Sequence, residues 1–194
     1  MVAGGLLAAG LSAAALGPLV DVPGPQVDLR YATAQNFTGA PLPGYDCARR
    51  VLLRPVAARA LGQAQRDLRR EGLVFDAYRP GRASRAMVAW ARRTGNEHLL
   101  DGYIAERSNH NRGLAVDVTL VALETGRALP IGTRFDAFTV AAHTANAHGR
   151  VARNRAILVR ALARRGFVNY RREWWHMDFL TRVPWPRLDL PLTC

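Results

Sequence analysis

The sequence predicts an α+β domain: one small, mostly antiparallel sheet packed by about three helices. Three observations lead there. Apolar residues recur at helical spacing in three separate stretches. Short alternating or apolar runs bounded by glycine and turn residues read as strands, and most of them follow the first two helices rather than alternating strictly with them. That order suits a compact α+β unit better than a doubly wound parallel sheet. A chain of 194 residues, 49% hydrophobic and 22% charged, is also enough for one domain with its own core.

Residues 20–46 carry Pro23, Pro25, Pro41 and Pro43 among several glycines and are expected to be extended or irregular. Leu52, Val56, Ala60, Ala64 and Leu68 then recur every four residues, predicting an amphipathic helix that reaches about Arg70 and ends before Gly72. Pro55 fits its first turn or marks a kink near its start. Leu73-Val74-Phe75 reads as a short buried strand, and Asp76-Ala77-Tyr78-Arg79-Pro80 as a loop. Arg82–Arg93 is a second helix, and the polar stretch Thr94–Asn111 interrupts regular structure. Leu114–Leu120 alternates Leu114, Val116, Val118 and Leu120 against Ala115, Asp117 and Thr119, as a strand does. Glu124-Thr125-Gly126 looks like a hairpin tip that returns through Leu129. Arg153–Arg164 is a third helix capped by Gly166, and Phe167–Tyr170 and Trp174–Phe179 read as a final pair of strands.

The formal net charge of +12 raises the question of nucleic acid. All 27 basic residues are arginine, and they are spread along the chain rather than gathered with aromatics on one element. Solvated helix faces are the simpler reading, and no nucleic-acid partner is expected. Residues 1–20 form an apolar N-terminal segment in which Leu6–Leu19 resembles the core of a secretory signal peptide, although a positively charged leader is missing. Its Gly/Ala content and Pro18 argue against a stable membrane span. Residues 21–194 are then the working domain. A periplasmic or secreted location is expected, with the cytoplasm as the alternative. Cys47 and Cys194 are too few for a thiolate metal site; they form one disulfide or are two unrelated thiols.

Chemistry concentrates in three places: Asp76–Pro80, Ser108–Asp117 and Glu173–His176. An aspartate in the middle of an apolar strand is costly to bury unless it is paired or bound to a cation. Glu173 and His176 are three apart, so they share a site only if the chain bends at the entry to the strand. His110, Asp117 and His176 make a set of two nitrogens and one carboxylate oxygen with a fourth position open, the pattern of catalytic zinc. Glu173 suits a general base that takes a proton from water, and Arg79 an oxyanion stabiliser. Trp174 and Trp175 would keep the site dry. Each residue taken alone has an ordinary reading, and His98, His143 and His148 are read as satisfied or surface histidines. Order and spacing together favour the site.

Ser-x-His-x-x-Gly-x-Ala-x-Asp at 108–117 with Glu-x-Trp-His at 173–176 resembles the zinc signature of D-alanyl-D-alanine metallopeptidases. Tyr31–Gly39, Gly44-Tyr45, Asp76–Pro80, Gly132–Asp136 and Glu173-Trp174-Trp175-His176 resemble in particular the VanX-type dipeptidases, from about Leu29 to Phe179. The resemblance implies a D-Ala-D-Ala metallopeptidase or hedgehog-like fold, one Zn2+ per chain, and hydrolysis of D-Ala-D-Ala or a closely related dipeptide. It implies His110, Asp117 and His176 as zinc ligands, Glu173 as base and Arg79 as oxyanion stabiliser. Ser108, Tyr45 and Asp136 would hold the dipeptide's termini, and Tyr31 would shape the pocket. An anion at Asp136 suits a free ammonium, which a dipeptidase must recognise. Two other readings stay open: a D,D-carboxypeptidase or endopeptidase of the same family, and a non-catalytic zinc-binding recognition domain. The segment from Arg92 to Gly102 looks short for the subfamily, so one wall of the site is expected to be trimmed.

Overall fold

A computed structural model describes residues 18–22, 24, 26–46, 49–68 and 72–193. The apolar run up to Gly17 lies outside the described residues, and so do Cys47 and Cys194 with the question of their pairing. The described strands are β1 (Val20–Asp21), β2 (Gln26–Val27), β3 (Leu52–Leu53), β4 (Gly72–Asp76), β5 (Ala115–Leu120), β6 (Phe167–Asn169) and β7 (His176–Phe179). The helices are α1 (Pro55–Leu68), α2 (Gly81–Arg93) and α3 (Gly149–Ala163). One sheet runs in the order β2-β4-β5-β7-β6, antiparallel throughout except for the pair β2 and β4. A separate antiparallel pair joins β1 to β3. The expected α+β architecture is therefore observed. Among the described residues no helix is long and apolar enough to cross a membrane.

Pro55 opens α1, where its missing N–H costs nothing, and Ala57, Leu61 and Ala64 form its buried stripe. That stripe joins Leu158 and Leu162 of α3 and Val116, Val118 and Leu120 of β5 in one core. By the alternation of a strand, Asp117 then faces away from this core. A second cluster gathers Ala83, Met87 and Val88 of α2 with Tyr31, Tyr45 and Tyr78. β5 is buried along its whole length because helices cover one face and the site's loops cover the other, so its polar positions never meet bulk solvent.

Element limits shift for local reasons. α3 starts at Gly149, not Arg153, because its first turn holds little beyond Val151 to reveal a periodic pattern. Gly72 is the first residue of β4 rather than a helix stop, and α1 is described to Leu68. Asp76 is the last residue of β4, not a loop residue. β7 starts at His176, not Trp174: Glu173–Trp175 form a turn in which the His176 amide donates to the Glu173 carbonyl at 3.3 Å. This is the bend that the Glu173–His176 spacing demanded. The hairpin tip is present, with Gly126 at φ 64° and Val121 bridged to Ala128.

After β7 the chain returns across the start of α2 as a strap. The Gly81 amide donates to the Leu188 carbonyl at 3.1 Å, and the Leu188 amide to the Asn111 carbonyl at 2.8 Å. Asp189 accepts from the Arg82 amide at 2.8 Å and from the Arg85 guanidinium at 2.9 Å. No side chain caps α2 locally, so a remote acid supplies the negative charge its N-terminus favours. Farther along, the Leu190 amide donates to the Tyr78 hydroxyl at 2.8 Å and the Leu192 amide to the Gly44 carbonyl at 2.7 Å.

Candidate active site

The sheet register places Asp76 of β4, Asp117 of β5 and His176 of β7 on one rung, each the partner of the next. A register irregularity between Val74 and Asp76 lets the end of β4 turn toward the site. His110 is added by a 3-10 turn, His110–Arg112, which ends at Gly113 in the left-handed region. A Cβ at Gly113 would lie 2.5 Å from a Leu19 methyl and 3.2 Å from the Arg54 amide, so only glycine allows this approach.

Three atoms converge. His110 Nε2 lies 3.1 Å from His176 Nδ1, and Asp117 Oδ1 lies 3.3 Å from the first and 3.0 Å from the second. The outer nitrogens fix the protons. His110 Nδ1 sits 2.6 Å from the Ala77 carbonyl and His176 Nε2 sits 3.1 Å from Asp178 Oδ1. A carbonyl and a carboxylate only accept, so the outer nitrogens carry N–H and, in the neutral rings, the inner ones present lone pairs. Two lone pairs and a carboxylate oxygen facing one another need a proton or a cation between them. Ligands about 2.0–2.1 Å from a tetrahedral ion stand about 3.3 Å apart, so the donor set fits a divalent metal. Burial alone would raise the Asp117 carboxyl, but the charges and hydrogen bonds of His110 and His176 outweigh it and hold it well below the usual carboxylate range. Burial also works against the charged form of Asp178, yet the His176 hydrogen bond leaves that carboxyl lowered.

The other oxygen of Asp117 faces Arg79, with Nη2 at 3.5 Å. Arg79 is anchored by Asp76: its Nε donates to Oδ2 at 2.9 Å, and Nη2 lies 2.7 Å from the same oxygen. Asp76 Oδ1 accepts the Tyr45 hydroxyl at 2.6 Å. The guanidinium also rests over the Tyr31 ring, 4.9 Å from its centre, so its position is set on three sides. Asn111 ties this turn to the histidine loop, its amide donating to the Arg79 carbonyl at 3.0 Å.

A cleft of about 310 Å³ opens over these groups, lined by Arg79, Ser108, Asp136 and Glu173 as well as the three converging residues. Burial, partly offset by His176, pushes the Glu173 carboxyl up to about 8. Asp136 is the one non-glycine among the described residues with positive φ, at 58°. The Tyr31 hydroxyl donates to both its oxygens, at 3.0 and 3.1 Å. Burial first, then the charges of Asp117 and Glu173, push the Asp136 carboxyl well above its ordinary range. An acid in that state gains most from a cationic partner. Gly102–Ala105 and Arg107 line one wall of the cleft. Trp175 lines the cleft, and Trp174 donates to Thr133 Oγ1 at 2.8 Å beneath it.

The structure thus brings eight sequence-predicted residues to one cleft and leaves Tyr45 off its lining, buried against Asp76. The sequence reading assigned no role to Asp76 or Asp178. Asp178 is two residues from His176 and so on the same face of β7, a signal that strand periodicity alone offers. His143, read as a satisfied histidine, has Nε2 at 3.0 Å from the Tyr103 hydroxyl.

Comparison with known proteins relates the chain to dipeptidases. A family model described as D-ala-D-ala dipeptidase matches residues 18–186. The chain is 35% identical over 193 residues to the D-alanyl-D-alanine dipeptidase of Enterococcus faecium, covering 88% of this chain and 94% of that protein. It is 37% identical over 192 residues to the D-alanyl-D-alanine dipeptidase of Streptomyces coelicolor, covering 88% of this chain and 94% of that one. Among solved structures, the vancomycin resistance D,D-dipeptidase VanXYg, in complex with a D-Ala-D-Ala phosphinate analog, aligns with a TM-score of 0.47 and 17% identity over 68% of this chain and 52% of that chain.

Proposed function

We infer, because the chain belongs to the D-ala-D-ala dipeptidase family of metallopeptidases, that it is a zinc enzyme splitting D-alanyl-D-alanine into two molecules of D-alanine. The observation that carries this reading is the convergence of His110 Nε2, Asp117 Oδ1 and His176 Nδ1 at one side of a cleft also lined by Glu173 and Asp136. Two imidazoles and one carboxylate suit zinc among the metals that accept such donors. Bound there, zinc would supply a Lewis acid that polarises the scissile carbonyl and makes water acidic near neutrality.

The chain's own groups do the rest. Glu173 takes a proton from the attacking water as the water oxygen bonds to the carbonyl carbon. It then returns that proton to the amine as the C–N bond breaks. Its elevated pKa falls when a cation is nearby, which readies it as a base. Arg79, held by Asp76, offers N–H groups to the oxyanion. Asp136, oriented by Tyr31, accepts the free ammonium, and Ser108 holds the carboxylate end. Tyr45 serves through Asp76. We place this activity in the periplasm or outside the cell, on the apolar character of Leu6–Leu19; fractionation of cells expressing the chain tests that location.

Metal analysis with a D-alanine release assay tests the chemistry. Activity that disappears with a chelator, returns with zinc and strongly prefers D-Ala-D-Ala to its N-acetylated form is expected. Equal rates on the blocked substrate would establish the carboxypeptidase reading instead. Metal retention with no hydrolysis of either would make the chain a binding domain.

A further inference from the structure

Arg155 lies in α3, outside the cleft lining, and is only 2% exposed. A guanidinium is costly to bury, and burial lowers its pKa. Among the described residues, its four side-chain hydrogen bonds all go to backbone carbonyls of a single loop. Nε donates to Ile131 at 2.9 Å, Nη2 to Ala141 at 3.1 Å, and Nη1 to His143 at 2.7 Å and Asn146 at 3.3 Å. Its neighbour Asn154 adds a bond to the Pro130 carbonyl at 2.8 Å. The planar fork therefore spans both ends of the loop 131–146, which a point charge such as lysine cannot reproduce.

That loop carries Asp136 into the lining of the cleft. The left-handed backbone at Asp136 is a strained conformation that persists only when the surroundings enforce it. Within the loop the turns are tight, with the Phe138 amide donating to the Asp136 carbonyl at 3.0 Å and the Thr139 amide to the Ala137 carbonyl at 2.7 Å. Gly132 makes room for the clamp: a Cβ there would lie 2.9 Å from Arg155 Nη2. The far end is also fastened to the segment around Glu173, through the Trp174 amide to the Ala142 carbonyl at 3.1 Å.

We propose that Arg155 is a positioning residue for substrate recognition: by closing both ends of the loop 131–146 onto α3, it holds Asp136 where the dipeptide's ammonium must dock. The proposal rests on the reading of Asp136 as the ammonium's partner. It predicts a defect mainly in binding, since Asp136 lies inside the clamped loop, whereas Glu173 is joined to it only through its neighbour Trp174 and His110, Asp117 and His176 lie on other elements.

The test compares R155K, R155Q, D136N and the double variant R155K/D136N as full-length, metal-loaded proteins with D-Ala-D-Ala as substrate. R155K is expected to raise KM about tenfold while kcat stays within about threefold, because an interaction used equally in ground and transition state is weakened. In the D136N background the same change is expected to add little, since two residues acting through one contact are not additive. An unchanged KM in R155K, or a full additive effect in the double variant, overturns the proposal. Failure of both R155K and R155Q to give folded, metal-loaded protein also overturns it, by making Arg155 a determinant of the whole fold. If D136N itself leaves KM unchanged, the ammonium reading is what fails, and that result is distinguishable from a silent R155K.

Discussion

Replacing Tyr45 by phenylalanine removes one oxygen and leaves a buried ring in place. The lost bond is the 2.6 Å hydroxyl-to-carboxylate contact with Asp76. Hydrogen bonds to charged groups contribute about 1.5–3 kcal/mol, and the full cost falls when a buried acceptor is stranded. Asp76 keeps both Arg79 contacts on its other oxygen, so it is not left without a partner. A loss of about 2 kcal/mol follows. For a chain of this size each kcal/mol shifts Tm by roughly 2–4 °C, so Tyr45→Phe should lower Tm by about 4–8 °C. The assay is thermal unfolding by circular dichroism on metal-free wild type and variant in the same buffer, because a bound metal would add its own stabilisation. KM for D-Ala-D-Ala should stay within about twofold, since uniform substrate binding is untouched. A Tm unchanged within a degree together with a large rise in KM would refute the reasoning and put Tyr45 on the dipeptide.

Three further predictions concern the neighbours of His110, Asp117 and His176. Glu173→Gln should keep the metal and lose about 10²–10⁴ in turnover, which paired metal and activity measurements would show. A carboxyl with a folded pKa above its unfolded value binds its proton more tightly in the native state. The metal-free protein should therefore lose stability as pH rises from about 4.5 to about 8. Glu173 contributes at most about 1.4 kcal/mol per pH unit to that slope, and E173Q should remove this share in denaturant titrations. An identical slope in E173Q would remove Glu173 as its source. Asp178→Asn should weaken metal binding about 10–100-fold in competition with a chromophoric chelator, as changes to a ligand's outer partner do. Undiminished affinity would show that the 3.1 Å contact to His176 is incidental.

Parts of this architecture are legible in the sequence because they depend on near neighbours. The four-residue spacing from Leu52 to Leu68 predicts α1, and the alternation from Leu114 to Leu120 predicts β5. The cluster of His110, Asp117 and His176 is legible because His110 and Asp117 share one short segment and the Glu173–His176 spacing demands a bend. Long-range register is not legible. Gln26 and Val27 look like irregular chain among prolines, yet they pair in parallel with Leu73 and Val74. Asp76 joins the site only because β4 and β5 align it with Asp117. Arg155 looks like one more solvated arginine on a helix, and its burial depends on a loop that begins more than twenty residues earlier.

The strap over α2 bears on how the protein is made. Arg79 and His110 belong to turns whose outer bonds reach residues 188–190, and these follow every residue of the site in the chain. Domains generally fold as units, so a domain closes only once its last-bonded segment has been made. A nascent chain that has already produced His176 still has the Tyr78–Gly81 turn open to solvent on that side. The arginine's seat is closed only after translation has passed Leu190, so the cleft's working geometry waits on a segment that lies beyond every residue lining it.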